Sequence, residues 1–217
     1  MEDIQFNKIR IIGAGGLGRE IASQIIKSSN FCKNYFIEGF YDDNSTKLNG
    51  FKNYPKILGP LKSIIDEKDE IKIILAINDI CLRESIHTLC SPAENIDILG
   101  FISEKSSIGL NCSLHQSVTL MPNTIVTCDI EIEEGVFVNC GSQIGHDAKI
   151  GKFSAIMSNV DIGGECEIGQ RVFIGSGATI LPRVKIVDEC IIGAGAVVFK
   201  NIKEKGTYVG NPAIKVF

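Results

Sequence analysis

From Ile102 onward an aliphatic residue returns every six positions for nearly half the chain. The series runs Ile102, Ile108, Leu114, Leu120, Val126, Ile132, Val138, Ile144, Ile150, Ile156, Ile162, Ile168, Ile174, Ile180, Ile186, Ile192 and Val198. All seventeen positions are Ile, Leu or Val, with no insertion, and chance would produce this on the order of once in 10⁹. The residue two before each aliphatic is usually small, as at Ser106, Cys112, Thr124, Ser142, Ala148, Ser154, Cys166, Ala178, Cys190 and Ala196. Glycine often follows the aliphatic, as at Gly109, Gly145, Gly151, Gly163, Gly169, Gly175 and Gly193. Such a hexad makes one flat face of a triangular coil. Its aliphatic points inward, and its small residue lets the chain pass the corner. Three hexads close a coil of 18 residues. The spacing therefore predicts a left-handed parallel β-helix of between five and six coils, about 25 Å tall at roughly 4.8 Å per coil.

The first hundred residues keep a different rhythm. Lys8–Ile12 reads as a short strand ending in glycines, and Gly16–Ser29 as a helix with Leu17, Ile21, Ile25 and Ile26 on one face. Phe36–Tyr41 and the β-branched Ile71–Ile77 read as further strands, Asp79 as the cap of a helix reaching Leu89, and Ile96–Leu99 as a last strand. This β-α-β order predicts a small α/β, Rossmann-like domain over 1–100. The β-helix domain occupies 101–200, and a C-terminal tail completes the chain over 201–217.

Composition narrows the function. The 217 residues carry a net charge of −4 and no dense Lys/Arg run, which argues against nucleic acid or an anionic membrane as the main partner. The opening MEDIQFNKIR has no apolar stretch that would make a leader or a membrane span. The eight cysteines, Cys32, Cys81, Cys90, Cys112, Cys128, Cys140, Cys166 and Cys190, form no C-x-x-C pair and read as reduced, packed residues of a cytoplasmic protein.

Three histidines are candidates for chemistry. His87 falls on the predicted second helix and is expected at its surface. His115 comes directly after the inward Leu114 and is expected to face outward. His146 lies near a prism corner within Gly145-His146-Asp147. Positions 18 apart stack, so the column through His146 reads Leu110, Cys128, His146, Gly164, Pro182, Lys200. The bare Gly164 leaves room beside the imidazole. Acyl transfer to an amine or hydroxyl needs a base, and an imidazole with an ordinary pKa of about 6.5 suits that role. Asp147 is placed to orient the ring, provided the corner bends, since neighbours on an extended chain point apart. A solvated corner histidine beside an ordinary acid is the plain alternative. Arg183, Lys185 and Lys200 offer charge for phosphates or simply a basic rim.

The segment Gly13-Ala14-Gly15-Gly16-Leu17-Gly18-Arg19 comes after a strand and opens a helix, the setting in which bare N–H groups at a helix start hold a phosphate. Asp42 or Asp43, at the end of the next strand, would hold a ribose in a dinucleotide fold. A dehydrogenase is thus a rival. Yet about 100 residues hold one mononucleotide half, and the prism leaves no domain for hydride transfer.

Gly145-His146-Asp147, the hexads around it, the glycine loop and the ending Val209-Gly210-Asn211-Pro212-Ala213 resemble the nucleotide-sugar and sialic acid acetyltransferases of the hexapeptide-repeat acyltransferase superfamily. The likeness spans nearly the whole chain and includes enzymes that N-acetylate UDP-4-amino sugars in bacterial surface glycan biosynthesis. It implies His146 as catalytic base with Asp147 raising its basicity, and Asn139 near the acceptor. Acetyl-CoA contacts would fall at Ala155, Gly164, Ser176 and Ala194, with Ala155 limited to its backbone. It implies nucleotide-sugar contacts at Gly15, Gly16 and Leu17 for the phosphates, at Asp42 and Asp43 for the nucleoside, and at Asn78. It further implies a homotrimer with active sites between subunits and no metal. Two positions depart from the family pattern, Leu17 where His is common and Asn78 where Gly is usual. The implied activity is N-acetylation of a nucleotide-linked amino sugar of the 4-amino-4,6-dideoxy type, with O-acetylation of a sialic acid as the alternative. A zinc enzyme of the γ-carbonic-anhydrase type would need three convergent imidazoles. His115 and His146 are 31 positions apart and so do not stack. A scaffold that binds nucleotide but not CoA is the non-catalytic alternative.

Overall fold

The computed structural model describes residues 7–28 and 35–216, and the chain divides into two compact units at Gly100/Phe101. The end of the first expected helix at Ser29, and Cys32, lie outside the described residues.

In the first unit five parallel strands form one sheet. They are β1 (Asn7–Ile12), β2 (Tyr35–Tyr41), β3 (Ile57–Gly59), β4 (Ile71–Leu75) and β5 (Ile96–Leu99), in the order β3-β2-β1-β4-β5. The central β1 and β4 are rich in isoleucine, and Ile9, Ile11, Ile12, Ile73 and Ile74 are fully buried, as strands covered on both faces require. Helix α1 (Gly16–Lys27) buries Leu17, Ile21 and Ile25, whereas Ile26, expected on the same face, is 50% exposed. The Asp79 carboxylate caps helix α2 (Ile80–Cys90), accepting from the Leu82 N–H at 2.8 Å. His87, expected at the surface of α2, is instead buried, with its Nδ1 3.1 Å from Ser91 Oγ. Periodicity did not reveal β3 or the 3₁₀ segment Leu61–Asp66, because three residues and a single tight turn carry too little pattern.

In the second unit each hexad from Ile108 to Val198 contributes a two-residue strand, and up to the last coil each strand pairs in parallel with the one 18 residues on. Val138 thus stands over Ile156, Ile174 and Ile192, and Ile144 over Ile162, Ile180 and Val198. From Leu120 to Val198 every aliphatic of the series is buried in one continuous core, each worth about 1.5–3 kcal/mol of transfer energy. The first coil is less complete, with Ile102 and Ile108 more than 40% exposed. The expected tail adds to the prism. Thr207–Val209 pairs in parallel with the strand at Ile191–Ile192, and Ile214–Lys215 pairs antiparallel with Thr207–Val209.

The corners turn on a residue that the sequence pattern did not single out. Every corner from Asn123 to Gly195, and the one at Asn111, holds a residue in the left-handed region, with φ between 54° and 73°. One column is Asn111, Asp129, Asp147, Glu165 and Arg183. A second is Asn123, Gly141, Asn159, Gly177 and Gly195, and a third is Gly135, Phe153, Arg171 and Glu189. The small residue comes one position later and fills the tight inside of the turn. There the buried Ser142 hydroxyl donates to the Met157 carbonyl at 2.6 Å and accepts from the Val160 N–H at 3.1 Å, tying two coils together.

Candidate functional site

In the first unit, the glycine loop is shaped by two close approaches. Gly13 has φ +101°, and a Cβ there would lie 2.7 Å from the Ala76 carbonyl oxygen. A Cβ on Gly18 would lie 1.9 Å from the Gly13 carbonyl oxygen. Gly15 and Gly16 face open space, and Gly15 caps α1 without any side-chain hydrogen bond, so the first turn presents bare N–H groups. The Leu17 side chain is buried, which leaves only its backbone for a ligand.

The two acids do different work. The Asp42 carboxylate accepts from the Ala14 N–H at 2.8 Å and the Asn44 N–H at 2.9 Å, and so shapes the loop itself. Asp43 Oδ1 accepts from the Leu61 N–H at 2.9 Å, at the start of the 3₁₀ segment. Asn78 is exposed beyond β4. Nearby lies a residue that sequence reasoning missed. The guanidinium of the buried Arg83 donates to the Ile77 carbonyl at 2.8 Å, and burial pulls its pKa down to about 10. An arginine in the first turn of a helix whose acidic cap is already engaged was the available signal. Arg19 was also passed over; its guanidinium stacks 3.8 Å above the Phe51 ring.

In the second unit, the corner at His146 brings together what the column predicted. Asp147 takes φ +60°, and this bend returns its carboxylate to the neighbouring ring, Oδ2 to Nδ1 being 2.7 Å. Both side chains remain more than half exposed. A carboxylate can only accept, so Nδ1 carries the hydrogen, and in the neutral ring Nε2 keeps the lone pair. The Glu165 N–H donates to the His146 carbonyl at 2.7 Å, which sets Gly164 directly over the imidazole. A Cβ on Gly164 would fall 2.7 Å from Nε2, so any other residue there would force the ring to move.

The other expected positions scatter by corner. Ser176 and Ala194 stack on the corner before the one holding Gly164, and both are exposed. Among the described residues no backbone carbonyl accepts from either N–H group. Ala155 is fully buried, and its N–H is spent on the Val172 carbonyl at 2.9 Å, so the backbone donor expected there is taken. Asn139 stands on the corner preceding His146 in the same coil, its Oδ1 accepting from the Cys140 N–H at 2.7 Å. One flat face, Gln143–Ile144, separates the two within a single chain. Arg183 and Lys185 are paired with Glu165 and Glu167 at 3.0 and 2.7 Å. His115 faces outward, as expected, on a third corner, its Nδ1 accepting from the Ser117 N–H at 3.2 Å. Among the described residues no group of three or more His, Cys, Asp or Glu side chains is arranged to hold a metal, and no helix is long and apolar enough to cross a membrane. The seven described cysteines are free. Cys90, Cys166 and Cys190 are buried, while Cys81 is exposed rather than packed.

Comparison with known proteins agrees with both halves. Residues 8–89 match the PglD N-terminal domain, and residues 165–200 match the bacterial transferase hexapeptide repeat. The chain is thus similar to a PglD N-terminal domain over much of its first unit and to bacterial transferase hexapeptide repeats over part of its second. The PglD-type domain contains the glycine loop, Asp42, Asp43 and Asn78, and this pairing of domains is the one that the motif resemblance implied. Among curated proteins, the chain is 32% identical over 109 residues to a UDP-3-O-acylglucosamine N-acyltransferase of Herminiimonas arsenicoxydans. That match takes in 50% of this chain and 29% of the relative's length. Among solved structures, the acetyltransferase domain of PglB from Neisseria gonorrhoeae FA1090 superposes with a TM-score of 0.88 at 23% identity, covering 97% of this chain and all of that one. PerB from Caulobacter crescentus, solved with CoA and GDP-perosamine, superposes with a TM-score of 0.86 at 21% identity, covering 98% of this chain and 99% of that one. At these identities the likeness establishes the fold, a Rossmann-like domain followed by a β-helix.

Proposed function

We propose that the chain is an acetyl-CoA-dependent N-acetyltransferase acting on a nucleotide-linked amino sugar of the 4-amino-4,6-dideoxy type. The observation that carries this reading is the His146–Asp147 pair at an exposed corner, with Nε2 left open beneath Gly164. The acceptor amine attacks the thioester carbonyl while Nε2 takes its proton, and Asp147 stabilises the imidazolium that forms. The tetrahedral intermediate collapses, the C–S bond breaks, and His146 returns the proton to the departing CoA thiolate. With the Ala155 amide engaged, the outward corner amides of Gly164, Ser176 and Ala194 are the candidate donors to the thioester and pantetheine arm. The bare first turn of α1 holds the diphosphate, through the amides at Gly15, Gly16 and Leu17. Asp42, Asp43 and Asn78 frame the nucleoside. CoA and GDP-perosamine in the Caulobacter structure, and acetyl coenzyme A in a second gonococcal PglB structure, support the choice of substrates.

A homotrimer belongs to this reading. Asn139 and His146 sit on successive corners with the flat face Gln143–Ile144 between them. A site using both is built most directly by drawing them from different copies of the chain. Free thiols at all seven described cysteines support a reducing compartment, the cytoplasm. The product would enter a bacterial surface glycan.

The test is thiol release from acetyl-CoA against a panel of UDP-, GDP- and dTDP-linked amino sugars, with sialic acid and its CMP form alongside. Release with one nucleotide amino sugar is expected. Release with sialic acid alone would move the protein to O-acetylation, and silence across the panel would overturn the acceptor class. His146→Ala should lower kcat/KM by about 10²–10⁴.

A further inference from the structure

Below the glycine loop lies a charge cluster, centred on a buried arginine, that the proposed chemistry does not use. Arg10, in the middle of β1, is 5% exposed. Its Nε donates to Glu38 at 2.7 Å, and a terminal nitrogen donates to Glu67 at 2.7 Å and to the Tyr41 hydroxyl at 3.3 Å. The Tyr41 hydroxyl donates in turn to Glu67. Glu38 and Glu67 stay about a quarter exposed, so water screens these pairs, their contribution to stability is modest, and stability alone is a weak reason for the cluster.

Its position supplies a better one. Ile9 pairs with Ile37, but the next residue, Arg10, pairs with Gly39, so Glu38 is an extra residue in β2. One residue pair later the β2–β3 register also slips, Phe40 facing Ile57 and Tyr41 facing Gly59. Gly39 is needed there, since a Cβ would lie 2.5 Å from Leu58 Cγ. A bulge re-aims every side chain after it. Just beyond this bulge stands Tyr41, whose carbonyl accepts the Gly13 N–H at 2.7 Å, and then Asp42, whose carboxylate holds the Ala14 N–H. A slip of one residue would turn Asp42 to the other face of the strand.

We propose that Arg10, Glu38, Tyr41 and Glu67 form a register lock whose role is to aim Asp42 into the glycine loop. They are positioning residues for the nucleotide, and that part of the inference rests on the reading of the loop as a nucleotide site. Arg10 binds the bulged Glu38 on one side. On the other it binds Glu67, the residue that ends the 3₁₀ segment, while Asp43 holds that segment's start. Both ends of the 3₁₀ segment are thereby tied, its start to Asp43 and its end to Arg10, so the end of β2 that carries Asp42 and Asp43 is held against it.

The test uses the full-length protein with Glu67→Gln and Tyr41→Phe, the second keeping the ring in place should the first fold poorly. Amide hydrogen exchange is followed at Ala14 and Asn44, the two groups that bond Asp42, and at Ile74 in the sheet as a control. Binding of UDP, GDP, dTDP and acetyl-CoA is measured alongside. The lock predicts exchange at least about tenfold faster at Ala14 and Asn44 with Ile74 unchanged, as in Asp42→Asn. It also predicts about tenfold weaker binding of whichever nucleoside diphosphate the wild type takes, with acetyl-CoA binding unaltered. Unchanged exchange at those two amides, or a uniform rise across the sheet, would overturn the lock. If the wild type binds none of the three diphosphates, the nucleotide reading falls, and the amides still decide the lock.

Discussion

At the scale of single residues, the His146 corner depends on two backbone facts. Neighbouring side chains diverge on an extended chain, and the contact between His146 and Asp147 exists because Asp147 lies at φ +60°. Asp adopts that conformation at lower cost than most residues, so the position suits both the turn and the chemistry. Gly164 is the second fact. Gly164→Ala would drive a methyl group to 2.7 Å from Nε2, so the ring must rotate away from Asp147. Steady-state kinetics should show kcat/KM falling about tenfold or more, while the folded structure, read by circular dichroism, is unchanged. Sequence spacing made this pair legible, because stacking by 18 is forced once the coil is known. It did not reveal that Ala155 would be sealed and its N–H spent on Val172, since that depends on what covers the face.

At the scale of elements, the prism is a stack of identical turns, and the left-handed residue is what each turn needs. Asn123 occupies one at φ +62°. Asn123→Val places a β-branched side chain in that region and should destabilise the unit by about 1–2 kcal/mol in urea titration, whereas Asn123→Gly should be close to neutral. In the first unit the Arg10 cluster predicts how stability varies with pH. Against the upward push of burial, Arg10 and Lys8 hold Glu38 below the ordinary carboxylate range, and Arg10 with Tyr41 holds Glu67 there. Their stabilisation is present above the ordinary carboxylate pKa and is lost as pH falls through the depressed values. Burial, with the Glu67 carboxylate, pushes Tyr41 up to about 12. Its share is present below the ordinary tyrosine value and is lost as pH rises toward 12. Thermal melts across pH should therefore show losses at both ends, and Tyr41→Phe should reduce the alkaline one. The strands β1, β2, β4 and β5 and both helices were readable from periodicity and caps. The extra residue at Glu38 was not, because a bulge leaves no mark on composition.

At the scale of the whole molecule, the proposed reading, with Asn139 and His146 on separate corners, makes the oligomer part of the chemistry. Light scattering should give a mass three times the chain's 23.6 kDa. An interface variant that yields monomers should lose acetyl-CoA binding while keeping its hexad core folded, because a groove between prisms needs two of them. A monomeric wild type that still turned over acetyl-CoA would refute the shared site.

The sequence by itself determined the architecture. Seventeen aliphatics at a strict period leave one way to bury them, and a glycine loop between a strand and a helix leaves one local geometry. Tertiary structure decided which groups remained available. It buried His87 where a surface residue was expected, closed the Ala155 amide into a ladder, and turned Asp42 from a free ligand into the brace of its own loop. Periodicity reports which way a side chain faces. Which hydrogen bonds are already spent depends on distant residues, 17 positions away for Ala155 and 28 for Asp42, and only the folded chain brings those together.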